Sequence, residues 1–307
     1  MAARANDDLL ILLDGALVPT QDAKVSVFDH AFLYGDGIFE TFRVADGLVF
    51  RMEPHLDRLE RSAAAIALAL PLPRAELRQA ILETVAANGL RDCYVKSIVS
   101  RGAGTEPLLE HTGLTSRLVV IVRPSMPFFA EGENARGLST AIVSTRKTPA
   151  AALDPRIKSL NYLNVIKSRI EARGMGAQES ILLDDRGRVV EAAFYNIVVV
   201  NGRDLRTPRE GCLHGITLEA VSDIAQEHGF QVHRDNLYPY DLETADEVLF
   251  TSTAGGVIPV TAIDGRTVGG GTPGPVFGVL STAYERALRD PANGAPVPGL
   301  REALAEV

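Results

Sequence analysis

The chain has 307 residues and is 46% hydrophobic, enough to fill one large core or two moderate ones, and two lobes are the favoured reading. Its net charge of −8 and pI near 5.3 argue against nucleic acid as a partner, and no apolar run is long enough for a membrane span. Only Cys93 and Cys212 occur, at no redox or metal spacing, which fits a reducing, cytoplasmic setting without disulfides.

Leu9 to Leu13 is too short for a signal-peptide core and ends in Asp14-Gly15, so it is expected to be a strand and turn. Gly37 to Val44, Asp46-Gly47 and Leu48 to Arg51 form a hairpin pattern. Leu56, Leu59, Ala63 and Ile66 recur at helical spacing, which predicts a helix over 53–70, stopped by Pro71 and Pro73. A second helix runs from Arg74 to Asn88-Gly89, and strands are expected at Cys93 to Arg101 and Arg117 to Pro124. A smaller N-terminal domain over 1–124 is followed by a Pro- and Gly-bearing linker over 125–137.

The larger domain, 138–290, restarts with a strand to Thr145 and a loop through Pro149 and Pro155. That loop delivers Lys158 to the start of a helix over 161–173, with Leu163, Ile166 and Ile170 on one face, the expected inward one. Strands at 180–183 and 188–190 flank the turn at Asp184 to Gly187, and the strand from Ile197 ends in the hairpin signal Asn201-Gly202. A helix over 217–228 turns Leu218, Val221, Ile224 and Ala225 inward, and a strand at 247–251 enters the turn Thr253-Ala254-Gly255-Gly256. Residues 291–307, rich in Pro, Gly and Ala, are expected to be a peripheral tail. There is no internal repeat.

Four segments carry chemistry in a fixed order: Lys158, Glu191, Gly215-Ile216-Thr217, and the turn at Thr253. They offer an amine, a carboxylate, a helix start whose N–H groups suit a phosphate, and a polar glycine turn. Pyridoxal phosphate needs this set, because its aldehyde condenses with a lysine and its ring nitrogen wants an acidic partner. Each residue has a plainer reading: most lysines are solvated, Glu191 could pair with an arginine, Thr217 could be an N-cap, and Arg58 lies on a charged helix face. Lysine at a helix N-terminus opposes the helix dipole, which favours a functional reading of Lys158. Asn196 is read as satisfying local backbone and Asp36 as a turn residue. The histidines show no metal-ligand spacing.

Asp29 to Glu40, Pro54 to Leu59, Lys158 to Leu163, Gly215 to Thr217 and Ala245 to Glu247 together resemble blocks of the class IV, fold-type IV aminotransferases. This family includes branched-chain, D-amino-acid and (R)-amine transaminases and the aminodeoxychorismate lyases. The resemblance runs from about Leu10 to Leu288 and implies an α/β (α+β) fold of two domains, with pyridoxal phosphate between them, in a homodimer. It implies that Lys158 binds the cofactor and moves the substrate proton, that Glu191 faces the ring nitrogen, and that Tyr162 meets the phenolic oxygen. Arg58, the amides of Ile216 and Thr217, and Thr253 would hold the phosphate. Tyr34, Phe39, Tyr94 and Lys96 would line the substrate pocket, with Ala254 and Gly255 offering donors to a carboxylate.

The departures bear on substrate. Ala192 stands where the family often has glycine, and Phe194-Tyr195 are unusual. Thr41 and Lys96 are similar to the lyases, whereas Leu70 to Arg74, Ala152 to Pro155 and the Thr253 turn are similar to (R)-amine transaminases. Tyr162 is typical of branched-chain enzymes. The resulting expectation is transfer from a hydrophobic, branched-chain-type amino acid to a 2-oxo acid such as 2-oxoglutarate or pyruvate. D-amino-acid or (R)-amine transamination, and aminodeoxychorismate lyase activity, are the alternatives.

Overall fold

A computed structural model of the chain describes residues 9–105, 109, 111–125 and 136–300. Asp14-Gly15 and Asp46-Gly47 all lie at positive φ, the backbone of the two-residue turns that suit twisted strands. They close two hairpins: β1 (Leu10–Leu13) with β2 (Ala16–Pro19), and β3 (Gly37–Ala45) with β4 (Leu48–Phe50). Between them lies the short helix α1 (His30–Tyr34), capped by the Asp29 carboxylate, which accepts from the Ala31 amide at 2.8 Å. Helices α2 (Met52–Ala65) and α3 (Arg74–Asn88) and strands β5 (Cys93–Ser100) and β6 (Arg117–Pro124) follow. Helix α2 stops short of the expected Leu70, because Ala67 turns into the left-handed region at φ 49°.

The chain divides into two units. The first spans Met1–Met126, Ile157–Asn161 and Leu288–Val307, and the second spans Pro127–Arg156 and Tyr162–Ala287. In the first unit Ile38, Phe42, Val44, Val95, Val99, Val120 and Val122 pack with Leu56, Leu59, Ile81 and Val85 of the two helices. Strand alternation sends Phe39, Thr41, Tyr94, Lys96 and Ile98 to the opposite sheet face.

The second unit contains β7 (Leu138–Ile142), α4 (Leu163–Gly174), β8 (Glu179–Leu183), β9 (Val189–Ala192), β10 (Asn196–Asn201), β11 (Asp204–Pro208) and α5 (Ile216–Glu227). It continues with β12 (Gln231–Asp235), α6 (Pro239–Glu243), β13 (Glu247–Ser252), β14 (Gly256–Ile263), β15 (Arg266–Thr267) and α7 (Pro275–Ala287). Its nine-stranded sheet is ordered β12-β11-β10-β13-β14-β7-β8-β9, with β15 on β14. Parallel pairs (β11/β12, β14/β7, β7/β8) mix with antiparallel ones, which makes the fold α+β.

Two sequence expectations change here. Leu163, Ile166 and Ile170 are 77%, 47% and 68% exposed, so the predicted inward face of α4 points outward. The inward residues are Val165, Ser168 and Ala172, whose small size brings the helix close to β8; Ser168 Oγ lies 2.9 Å from Ser180 Oγ. The tail is not peripheral throughout: β16 (Gly294–Pro296) pairs antiparallel with β4, burying Ala295 and Val297 in the first core. The sheet of the first unit is thereby seven-stranded, in the order β16-β4-β3-β5-β6-β1-β2. Of the expected linker, only Ser125, Arg136 and Gly137 fall among the described residues.

Candidate active site

Lys158 is not on a helix. It lies in the Ile157–Asn161 segment of the first unit, five residues before α4 begins, so the helix-dipole argument does not apply to it. Strand β3 holds this segment: the Phe39 N–H donates to the Lys158 carbonyl and the Leu160 N–H to the Gly37 carbonyl, both at 2.9 Å. The Lys158 N–H donates to Ser62 Oγ at 3.2 Å. Gly37 is needed for this approach, since a Cβ there would lie 2.7 Å from the Val99 carbonyl oxygen and 2.8 Å from Leu160 Cδ1.

The backbone so pinned puts Lys158 Nζ 4.6 Å from the centroid of Phe39, and Lys96 Nζ lies 4.4 Å from the same centroid. Burial pushes the Lys96 ammonium below its ordinary value. Tyr94, on the same sheet face, lies under the Arg43 guanidinium at 4.5 Å. Tyr34 ends α1 with its ring edge-on to His30, and Gly35 after it turns left-handed at φ 70° and accepts from Asn161 Nδ2 at 3.0 Å. Four expected pocket residues (Tyr34, Phe39, Tyr94 and Lys96) therefore share the first unit with Lys158.

Arg58 is only 5% exposed, which overturns the surface reading. Its Nε and Nη2 donate to Glu40 Oε1 and Oε2, and His55 Nδ1 lies 2.8 Å from Oε2. Burial alone would raise the Glu40 carboxyl, but Arg58 and then His55 outweigh it and hold it well below the carboxylate range. Burial lowers His55 against the pull of Glu40, and the nearby charges of Arg58 and Lys158 lower it further. Sequence reasoning misses Glu40 and His55. The available signal is an acid at a core-facing position of β3 and a His–Arg pair three residues apart on one helix.

In the second unit Glu191, on β9, is 7% exposed. One oxygen accepts from the Leu213 N–H at 3.0 Å, and the other is ion-paired with Lys147. Lys147 is another residue that sequence reasoning misses, held by its own N–H on the Leu183 carbonyl at 2.9 Å. Burial, and after it the Glu191 charge, pushes the neighbouring Cys212 thiol up to about 12. Asn196 does satisfy local backbone, donating to the Leu213 carbonyl at 2.7 Å, and Asp36 pairs with Arg101.

The N-cap of α5 is Gly215, not Thr217, and no side chain caps this helix start. A Cβ at Gly215 would lie 1.9 Å from Asn196 Oδ1, so the position is built to keep a side chain away from the helix end. The Ile216 and Thr217 amides thus belong to an uncapped positive terminus that suits a phosphate. Thr253, Ala254 and Gly255 form the tight turn between β13 and β14, with the Gly255 N–H on Ser252 Oγ at 3.0 Å. Tyr162 is the N-cap of α4 and stacks on Phe194, with centroids 5.9 Å apart. The Glu247 carboxylate is structural: it accepts from Val276 and Phe277 amides and so caps α7.

Taken one by one, the donors suit groups of pyridoxal phosphate: a lysine amine in the first unit, and in the second a buried carboxylate fixed by a cation and an uncapped helix start. No group of His, Cys, Asp and Glu fit for a metal occurs among the described residues. The sequence profile described as "Amino-transferase class IV" matches residues 37–263. A putative branched-chain-amino-acid aminotransferase of Methanocaldococcus jannaschii is 41% identical, covering 90% of this chain and 95% of its own. The branched-chain aminotransferase of Thermoproteus uzoniensis, solved with norvaline, superposes with a TM-score of 0.87 at 33% identity, covering 94% of this chain and 99% of its own. A branched-chain amino acid aminotransferase of "T.th.", solved with pyridoxamine 5'-phosphate, superposes at 0.86 with 32% identity, covering 93% and 96%. The chain belongs to the class IV aminotransferases and is a pyridoxal-phosphate-dependent enzyme.

Proposed function

We propose that the chain transfers the amino group of a hydrophobic, branched-chain-type amino acid to a 2-oxo acid such as 2-oxoglutarate or pyruvate. The observation that carries this reading is the sheet face beside Lys158, where Phe39, Tyr94 and Ile98 offer apolar surface and Lys96 a cation against the Phe39 ring. An aliphatic side chain suits the former and an acid carboxylate the latter. The relatives named for branched-chain substrates support it.

Bound pyridoxal phosphate supplies the electron sink that makes the substrate Cα–H acidic. Lys158 Nζ would take that proton and return it, Glu191 would face the ring nitrogen, and Tyr162 would donate to the phenolic oxygen. Arg58, the Ile216 and Thr217 amides and Thr253 would bind the phosphate, and Ala254 and Gly255 would orient the substrate carboxylate. The test is the visible absorbance of the purified enzyme after single additions of L-leucine, D-alanine and (R)-1-phenylethylamine. Bleaching by L-leucine supports the reading, whereas bleaching by either of the others alone replaces it. Thr41 and Lys96, paired across β3 and β5, are similar to those of the lyases, so lyase activity is the further alternative after D-amino-acid or (R)-amine transamination. Pyruvate release without an amino acceptor would establish it.

The enzyme works as a homodimer in this proposal. The outward stripe of Leu163, Ile166 and Ile170 is apolar surface of the kind a second copy covers. Sedimentation should give twice the chain mass of 32.9 kDa, and L163E with I170E should reduce it to one. No helix among the described residues is long and apolar enough to cross a membrane, and two buried free thiols suit a cytoplasmic location.

A further inference from the structure

Phe194 lies in the short link between β9 and β10, closed by the Ala192 N–H donating to the Tyr195 carbonyl at 2.9 Å. Its neighbours Ala193 and Tyr195 are buried, yet Phe194 is 41% exposed and contributes to neither core. It has two contacts of defined geometry instead. The Tyr162 ring stacks on it at an interplanar angle of 21°, and the Arg169 guanidinium lies 5.0 Å from its centroid. Tyr162 and Arg169 lie two turns apart on one flank of α4, and Arg169 is in turn paired with the buried carboxylate of Glu179 on β8 at 3.3 Å. The phenyl ring thus lies against one flank of α4, beside the tyrosine that precedes the helix.

A tyrosine at an N-cap has non-helical backbone, with φ −97° and ψ 5° here, and the helix does not fix its side-chain torsions. A parallel ring removes that freedom. We propose that Phe194 is a positioning residue for Tyr162, setting the direction of its hydroxyl toward the phenolic oxygen of pyridoxal phosphate. This rests on the reading of Tyr162 as the partner of that oxygen. It also gives a role to one of the positions where the chain departs from its family.

The test is the dissociation constant of two ligands for the apo-protein: pyridoxal phosphate and the analogue lacking the phenolic hydroxyl. Wild type, F194A, F194Y and Y162F are compared. F194A should weaken pyridoxal phosphate by roughly five- to ten-fold, the scale of one ordinary net hydrogen bond, and leave the analogue unchanged. F194Y should restore binding, and F194A should add nothing in a Y162F background. Equal weakening of both ligands by F194A would mean that Phe194 only packs the link, and would overturn the inference. An effect of Y162F with none of F194A would overturn it as well. A Y162F protein that still distinguishes the two ligands as wild type does would instead refute the reading of Tyr162, and the inference with it.

Discussion

Arg58 grips Glu40 through two parallel hydrogen bonds, 2.6 Å from Nε to Oε1 and 2.8 Å from Nη2 to Oε2, with both side chains buried in the first unit. The fork fixes the guanidinium plane, so the expected phosphate ligand is oriented before any phosphate arrives.

E40Q leaves the buried arginine without its counter-charge, and breaking a buried pair costs about 3–5 kcal/mol. The sign with pH follows from the depressed carboxyl. Its contribution to stability is complete above the unfolded value near 4.5 and is lost as pH falls below it. Urea unfolding of wild type should therefore show a steeper acid-side slope below that value than E40Q, which keeps only the share of other depressed carboxylates such as Glu171 and Asp184. Parallel slopes in the two proteins would show that Glu40 is not the group responsible.

G215A tests the helix start. The backbone there, at φ −77°, would accept alanine, so the only conflict is the Cβ against Asn196 Oδ1. Relief requires Asn196 to move off the Leu213 carbonyl, at a cost of about 1–3 kcal/mol. Fluorescence titration of the apo-protein should show phosphate-bearing cofactor weakened at least about ten-fold, a 1.4 kcal/mol effect, and pyridoxal without phosphate much less affected.

E247A separates a family block from the chemistry. Glu247 accepts from two amides at the start of α7, and a helix cap of this kind contributes about 1–2 kcal/mol. Thermal melting should register that loss, while the dissociation constant for pyridoxal phosphate stays within about two-fold, since the carboxylate is spent on the helix. A large fall in cofactor affinity would give Glu247 a part in the site.

What could be read in advance follows the range of the interactions. The Asp-Gly turns, the helix ended by Asn88-Gly89 and the alternation of β3 depend on neighbours a few residues apart, and each is legible in the chain. Lys158 and Glu191 stand out because a family pattern marks them. Their surroundings do not: Glu40 meets Arg58 across a strand and a helix, and Lys147 meets Glu191 through two strands. Helix α4 misleads because its apolar stripe is real but turned outward, while its buried side is built from the small residues Ser168 and Ala172. Periodicity finds an apolar face without saying what covers it.

Lys147 and Glu191 form a pair whose side chains are both largely buried, and the Glu191 carboxylate also accepts from the Leu213 amide. K147M keeps the aliphatic stem and removes the charge, which leaves Glu191 buried beside the Cys212 thiol without its cation. The apo-protein should lose about 3 kcal/mol in urea unfolding, at the low end for a broken buried pair because neither group is wholly dry. E191Q should cost less in the K147M background than in wild type, since the stranded charge is then gone. Additive losses would show that the two residues act independently.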